Sequence, residues 1–572
     1  MHLNIMIIGF VLVFVVILIN CCCYSVIAAT GVVFPSSSAT NTSLTQLDEI
    51  IFLVLSQENK YHRGIAESLR RNILRQSQEL NLTKPYVYLT HETFRHRNGA
   101  WAIIPIIEDV YRDLVQPQKT KFVILLEPNT HVNISVLLKY LSKEDYQKEQ
   151  YFGYPVYDKE ATITHHFSFF KNPSQFKYPL LSAGIVLTVS LWKRLVETLP
   201  NTTFPSEFSI DPAHELALFI LNSVNGTRLT SASSYHCIRA PNSIMKATRK
   251  GNIQAGAKEC AIYRKEFTPC TKLKYNGMFD EQPLVGIYNR LIVAVKTCKK
   301  FHDERLSVVL NTWGRLIPHL RIFSDTKDKR LGTVATGVPN TEMGHCAKTI
   351  KILKLLDAEL TRNASLSDIQ WVVLADDDTI LSVSALVRHL ACYSPYEDLY
   401  LGERYGYFLL NDAGYNYITG GGGIVFTRTT LKKLATNCTC PTSHSPDDMI
   451  VSTCLSQFRI PATHSSNFHQ ARPIDYPAAV VAADRTNTIS FHKYWQIDPY
   501  AVYEKWFKEN DENFLFRNSI KIASNEHPRT AADDVDEVQI MNAVDVDGNA
   551  NNANVIFNAK KHSDYEMNHT DL

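Results

Sequence analysis

The stretch QWVVLADDDTILSVSALVRHL, residues 370–390, decides the fold. Trp371 to Ala375 form an unbroken apolar run that ends on three consecutive acids, Asp376, Asp377 and Asp378. A short run of that kind reads as a strand buried on both faces. The spaced apolar positions from about Ser382 to Tyr393 read as the helix that follows it. An earlier stretch, KFVILLEPNTHVNISVLLKYL at 121–141, matches it along its whole length. Strands alternating with helices predict an α/β protein.

More pairs follow in the same order. Lys60-Tyr61-His62 resembles Lys300-Phe301-His302, LLSAGIVLT (180–188) resembles TGGGGIVFT (419–427), and Pro212-Ala213-His214 takes the place of Pro446-Asp447-Asp448. Four matches in one order predict an internal duplication. The chain then holds two tandem Rossmann-like domains, at 48–238 and 284–510. Where the second has Asp376-Asp377-Asp378, the first has Glu127-Pro128-Asn129. The first copy has lost its acidic cluster and reads as degenerate and non-catalytic. Residues 239–283, basic and poor in apolar periodicity, read as a linker.

The 572 residues suit roughly two to four domains. The 59 Lys and Arg against 57 Asp and Glu leave a net charge of +2, which argues against a nucleic-acid binder. From 524 to 572 there are ten acids against three basic residues. That composition predicts a disordered tail, because it buries too little apolar area to offset chain entropy.

The ends of the chain give an address. Leu3 to Ile19 are almost wholly apolar and small residues follow, so residues 1–29 read as a cleaved signal peptide. A type II membrane anchor is the alternative, since the run is nearly long enough to span a bilayer. Asn-x-Ser/Thr sequons at Asn41, Asn81, Asn133, Asn201, Asn225, Asn363 and Asn437 agree with a lumenal chain. The terminal His569-Thr570-Asp571-Leu572 is similar to an endoplasmic-reticulum retrieval signal, which implies a soluble lumenal protein and a retrieval receptor as partner. Nine cysteines lie beyond residue 29, so in an oxidising compartment at least one thiol is left over. Their pairing is not readable from sequence.

Three adjacent carboxylates at a strand end repel one another unless a cation sits among them. Side chains alternate there, so Asp376 and Asp378 point one way and Asp377 the other. Mg²⁺ or Mn²⁺ suits such oxygen ligands and completes its shell with phosphate oxygens. Asp447 and Asp448, just before MIVSTCLSQF, are candidates for a general base or for a helix cap. Gly420 to Gly423 provide a close backbone approach, with Gly421 and Gly422 the candidates for contact with a donor.

The strings LIVAVKTCKKFHDERLSVVLNTW (291–313), IFSD (322–325), WVVLADDDT (371–379), YLGERYG (400–406), TGGGG (419–423), PDDM (446–449) and ISFH (489–492) together resemble the fringe-like inverting β-1,3-glycosyltransferases. Within that family, GERYGY (402–407), YITGGGGIVF (417–426), HQARPIDYP (469–477) and ISFHKYWQIDPYAVY (489–503) resemble the branch that adds glucose to O-linked fucose on thrombospondin type 1 repeats. The resemblance implies GT-A-type domains, UDP-glucose as donor, Mn²⁺ (or Mg²⁺) as cofactor, and folded O-fucosylated repeats as acceptor partners. It implies Asp378 and His492 as metal ligands, with Asp376 beside them and Asp377 toward ribose or water. It implies Asp448 as the base, with Asp447 the runner-up; helix N-cap preference suggests Asp447 as the cap. Arg305, Trp313 and Lys348 are expected to hold the nucleotide or shape its pocket. A fringe-type N-acetylglucosaminyl or galactosyl transferase, or a non-catalytic lectin-like quality-control factor, are the competing expectations. Donor choice follows from no single residue.

Overall fold

The computed structural model describes residues 45–239, 260–265, 270, 273–275, 278–280 and 284–520. The signal segment 1–29, Asn41, the tail 524–572 and most of the expected linker lie outside these residues.

Two mixed sheets organise the chain. The first contains β1 (Ile50–Val54), β2 (Tyr86–Leu89), β3 (Phe122–Leu126), β4 (Tyr151–Gly153), β5 (Ile185–Thr188) and β6 (Thr230–Ser231), in the order β6-β4-β5-β3-β1-β2. The second contains β7 (Leu291–Lys296), β8 (His319–Ser324), β9 (Thr333–Ala335), β10 (Trp371–Asp376), β11 (Tyr400–Gly402), β12 (Ile424–Thr427) and β13 (Thr463–His464). Its order is β13-β11-β12-β10-β7-β8-β9. With β9 set aside, the two orders coincide.

The strand senses coincide as well. β1 runs parallel to β2 and β3, and β7 parallel to β8 and β10. β5 is antiparallel to β3 and β4, and β12 antiparallel to β10 and β11. The outermost pairs, β4–β6 and β11–β13, are both parallel. The central strands β1, β3 and β7 are buried along their full length, as parallel strands covered on both faces must be.

The two matched stretches fold alike. β3 is followed by a strand at Thr130–Val132 and a helix at Ile134–Leu141. β10 is followed by a strand at Thr379–Leu381 and a helix at Val383–Leu390. Asn133 and Ser382 are the equivalent N-caps, each accepting from the backbone N–H three residues on.

The halves pack against each other. Phe208–Ser209 adds an antiparallel strand to Arg404–Tyr407. Gln57 Nε2 donates to the His464 carbonyl (3.1 Å), and Trp101 Nε1 donates to Asn416 Oδ1 (2.7 Å). Disulfides join Cys237–Cys260, Cys270–Cys392, Cys346–Cys440 and Cys438–Cys454, leaving the buried Cys298 as the odd thiol. Among the described residues no helix is long and apolar enough to cross a membrane.

Two expected boundaries move. Ile262–Arg264, inside the expected linker, is a strand paired antiparallel with Thr130–Val132, so the first half extends at least to Arg264. The second half runs past residue 510, because the helix Glu509–Arg517 carries the fully buried Asp511. Its carboxylate accepts from Ser382 Oγ (2.8 Å), Ser384 N (2.8 Å) and Val383 N (3.3 Å). It therefore satisfies the free donors at the start of the helix that follows the acidic turn. Asp511→Ala strands those donors and is expected to cost about 2 kcal/mol. Urea unfolding of the full chain checks this, and an unchanged midpoint contradicts it.

Candidate active site

The acidic turn begins where β10 ends. Asp376 N–H donates to Thr379 Oγ1 (3.0 Å), which in turn donates to the Gly421 carbonyl (2.8 Å). Trp313 Nε1 donates to the Thr379 carbonyl (3.0 Å) from a fully buried position. Trp313 is thus core beneath the turn, a position that supports the acidic turn from below and offers no exposed face to a nucleotide. The Thr379–Leu381 strand pairs with Ser490–His492, setting Thr379 opposite His492.

That pairing brings Asp376, Asp378 and His492 together, with one ligand atom from each within 4.8 Å of the others. His492 Nε2 lies 3.1 Å from Asp378 Oδ1. Its Nδ1–H donates to the Gln470 carbonyl (2.9 Å), which leaves Nε2 as the free ligand atom. Two carboxylates and one neutral imidazole are a donor set that fits Mn²⁺ or Mg²⁺. Burial works against ionisation of Asp378, but His492 and Arg305 outweigh it and hold the carboxyl below its usual range. His492 is displaced upward: burial opposes the shift and Asp378 drives it.

Asp377 lies in the turn beyond the strand and has partners of its own. It accepts from Thr297 Oγ1 (2.6 Å) and Arg305 Nη1 (3.1 Å). Burial, then the charge of Asp378, push it up to about 7. Arg305 also donates to Asp378 Oδ2 (2.9 Å) and lies over the Phe301 ring at 3.8 Å. The arginine therefore clamps the acids themselves.

Lys296, the last residue of β7, reaches between the two acidic segments. Its Nζ lies 3.1 Å from Asp376 Oδ1 and 2.6 Å from Asp447 Oδ2. Burial would lower its pKa, but Asp376 and Asp447 raise it instead. Asp447 also accepts from Thr349 Oγ1 (2.6 Å). It opens the helix Asp447–Gln457 but caps nothing, because its carboxylate is spent on Lys296 and Thr349. This corrects its expected capping role. Burial, then the neighbouring charge of Asp447, push Asp448 up to about 7. The Gly420 and Met449 backbone N–H groups face its carboxylate.

The glycine loop closes the gap between these groups. A Cβ on Gly421 would sit 2.4 Å from the His492 ring, and one on Gly420 would meet Asp376 Oδ2 at 3.9 Å. Gly423 adopts a φ of +91° that favours glycine. The Gly422 N–H is taken by Gln470 Oε1 (2.9 Å) and its carbonyl by Ser490 Oγ. The loop's visible role is to admit His492, since these backbone groups are engaged within the protein.

Lys348 is buried behind the acids, with Nζ donating to the Thr297 carbonyl (3.1 Å) and to Asn340. Of the sequon asparagines, Asn81, Asn201, Asn225 and Asn437 are exposed, while Asn133 and Asn363 are half-buried helix caps. Lys296, Thr297, Thr349, Gln470 and Glu403 were not foreseen. Lys296 had a signal, a lysine closing an otherwise apolar strand, since lysine is rarely buried unless paired. Glu403, pushed by burial up to about 8, accepts from Gln470 N–H and Tyr476 Oη (3.2 Å), and so fixes the residue that orients His492.

The described residues thus gather the site in the half that matches known enzymes. A family profile described as Fringe-like matches residues 288–513. The chain is 36% identical over 490 residues to the Beta-1,3-glucosyltransferase of Mus musculus, covering 84% of this chain and 92% of that protein. It is 38% identical over 470 residues to the Homo sapiens Beta-1,3-glucosyltransferase, covering 82% and 86%. Fringe glycosyltransferase of Drosophila melanogaster is 34% identical over 128 residues, 21% of this chain and 30% of that one. Similarity that spans both halves and nearly the full length of the mouse protein shows that the chain belongs to the beta-1,3-glucosyltransferase family.

Proposed function

We propose that the protein transfers glucose from UDP-glucose, with inversion, to the 3-hydroxyl of fucose O-linked to folded thrombospondin type 1 repeats. The family supports a β-1,3-glucosyltransferase. The acceptor rests on the motif resemblance. One observation carries the mechanism: the ligand group Asp376, Asp378 and His492 is tied to the Asp447-Asp448 pair by Lys296, which bridges Asp376 and Asp447, and by Gly420, whose N–H faces Asp448 beside Asp376. The matching strand orders support reading the first half as a degenerate GT-A-like domain. Four disulfides and the sequons support the endoplasmic-reticulum lumen.

Inversion needs one in-line displacement with a base on the acceptor side. Asp448 takes the proton of the fucose hydroxyl as its oxygen attacks the anomeric carbon and UDP departs from the opposite face. Asp447, kept ionised by Lys296 and Thr349, raises the proton affinity of Asp448. Asp376, Asp378 and His492 would hold a divalent cation, which when bound would supply charge neutralisation for the leaving diphosphate. Arg305 and Thr297 hold Asp377 and Asp378 in position.

Mass spectrometry of a fucosylated repeat, incubated with enzyme, Mn²⁺ and each UDP-sugar, is the test. Gain of one hexose from UDP-glucose alone is expected. Transfer from UDP-N-acetylglucosamine or UDP-galactose instead, or no transfer, overturns the reading.

Asp448→Asn is expected to lower kcat by about 10²- to 10⁴-fold while UDP binding persists. A base must be ionised to accept a proton, so kcat/KM of the wild type falls as pH drops through about 7. The residual rate of Asp448→Asn lacks that limb, and a limb unchanged in the variant contradicts the assignment. Gly421→Ala pushes a methyl group into the His492 ring and is expected to weaken cation binding by about 10- to 100-fold. Calorimetric titration of Mn²⁺ in the presence of UDP checks this.

A further inference from the structure

The first half keeps a cavity where the second keeps its acids. It has a volume of about 280 Å³, at the carboxyl end of β3, and residues of both halves line it. Strand ends of this kind are where α/β sheets bind ligands. Glu127, Pro128 and Asn129 stand in the places of Asp376, Asp377 and Asp378.

The strand register extends the comparison. Thr130 pairs with Arg264 as Thr379 pairs with His492, so Arg264 occupies the position of the second half's imidazole. Its guanidinium forms a buried ion pair with Asp484 of the second half. Asn129 has no charge to offer where Asp378 has one. The cavity has therefore exchanged a cation-binding set for a built-in cation.

A second group of ligand-type atoms, Asp158, His165 and His214, lies beside it. His165 donates or accepts at both nitrogens, to Asp158 (2.7 Å) and Asp211 (3.2 Å). The His165 and His214 rings are stacked in parallel, 3.9 Å apart and 5° from coplanar orientation. In-plane lone pairs of rings stacked that way do not converge on one ion. This cluster braces the cavity wall and leaves no metal role.

Other polar groups in the wall are unspent. The half-buried Glu127 carboxyl and Asn129 amide, and the exposed Lys265 ammonium at the rim, line the cavity with no side-chain hydrogen bond or ion pair among the described residues. Burial pushes Glu127 up to about 7, and the neighbouring wall lowers Lys265 although it stays exposed at the rim. Of the charged lining groups, Asp484 pairs with Arg264, Asp211 with His165 and Asp475 with Arg472, which leaves the acids Glu127 and Glu403 against the bases Lys265 and Arg404. Apolar rings and aliphatic groups, Trp101, Tyr178 and Leu180 among them, line the same space. Unspent donors and acceptors, near-zero net charge and apolar walls suit a neutral polyhydroxylated ring. The size agrees, at the lower end of small-molecule pockets of about 300–1,000 Å³.

We propose that this cavity is a second carbohydrate site, distinct from the catalytic pocket, that takes the pyranose ring of a neutral sugar and holds it through Glu127, Asn129 and Lys265. The sugar comes free or as part of a glycan on the protein acceptor. The proposal does not depend on which sugar the catalytic half transfers.

Saturation-transfer NMR of the full chain with methyl α-L-fucoside, methyl β-D-glucoside and a glycosylated folded repeat tests it. Asn129→Leu and Lys265→Met remove hydrogen bonding at nearly constant volume, and thermal unfolding verifies that each variant folds. Each is expected to weaken sugar binding by about tenfold, one such hydrogen bond's worth. Binding is expected to survive Asp378→Asn, and turnover of a small fucoside to stay within about twofold in both cavity variants. Binding of the simple glycosides marks the free sugar as sufficient. Binding of the repeat alone, still lost in the cavity variants, marks the acceptor glycan as the source. The proposal is overturned if neither probe binds, if neither cavity variant weakens binding, or if Asp378→Asn abolishes it. It is also overturned if inorganic phosphate binds in a manner lost in Lys265→Met. A chain that transfers glucose yet fails these tests refutes the second site and leaves the catalytic reading intact.

Discussion

Five carboxylates are joined in one network of ion pairs, and the second half is built to tolerate them. Asp376, Asp377, Asp378, Asp447 and Asp448 cannot all ionise at short range in a poorly solvated site without compensation. Lys296 joins Asp376 to Asp447, Arg305 holds Asp377 to Asp378, and His492 faces Asp378. What these cations leave unbalanced emerges as two carboxyls displaced to about 7, Asp377 and Asp448. A divalent cation together with its diphosphate fits this balance, and one displaced carboxyl is placed to act as a base.

The surrounding fold exists to keep that arrangement. β7 and β10 are adjacent parallel strands, with Lys296 opposite Asp376 in register. The glycine loop lets His492 come within a distance that no side chain would permit. Asp511 secures the helix behind the acidic turn, and Glu403 secures Gln470, which orients the imidazole. The first half repeats the strand order without the acids. Released from the need to hold a cation, it has Arg264 at the histidine position and an ion pair to the other half, so its sheet edge has become part of an interface.

The buried strand, the acidic turn and the matching strand-turn-helix stretches of the two halves were legible in the sequence because each is local. An apolar run followed by Asp376-Asp377-Asp378 carries its own period and its own stop. What could not be read depends on contacts between distant segments. That Trp313 packs under Thr379 is a contact between segments 66 residues apart. Asp447 had the position of a cap, and only the folded chain reveals that Lys296 and Thr349 claim its carboxylate. Ile262–Arg264 appeared to be linker, because a three-residue strand has no period to detect and is defined by its partner, Thr130–Val132.

The central claim is that Asp376, Asp378 and His492 hold one cation together. Pulsed electron paramagnetic resonance of Mn²⁺ added to the full chain with UDP tests it most directly. The account predicts a nitrogen coupling from a single imidazole that disappears in His492→Ala. Bound Mn²⁺ with no nitrogen coupling in the wild type, or with a coupling that survives His492→Ala, would contradict it.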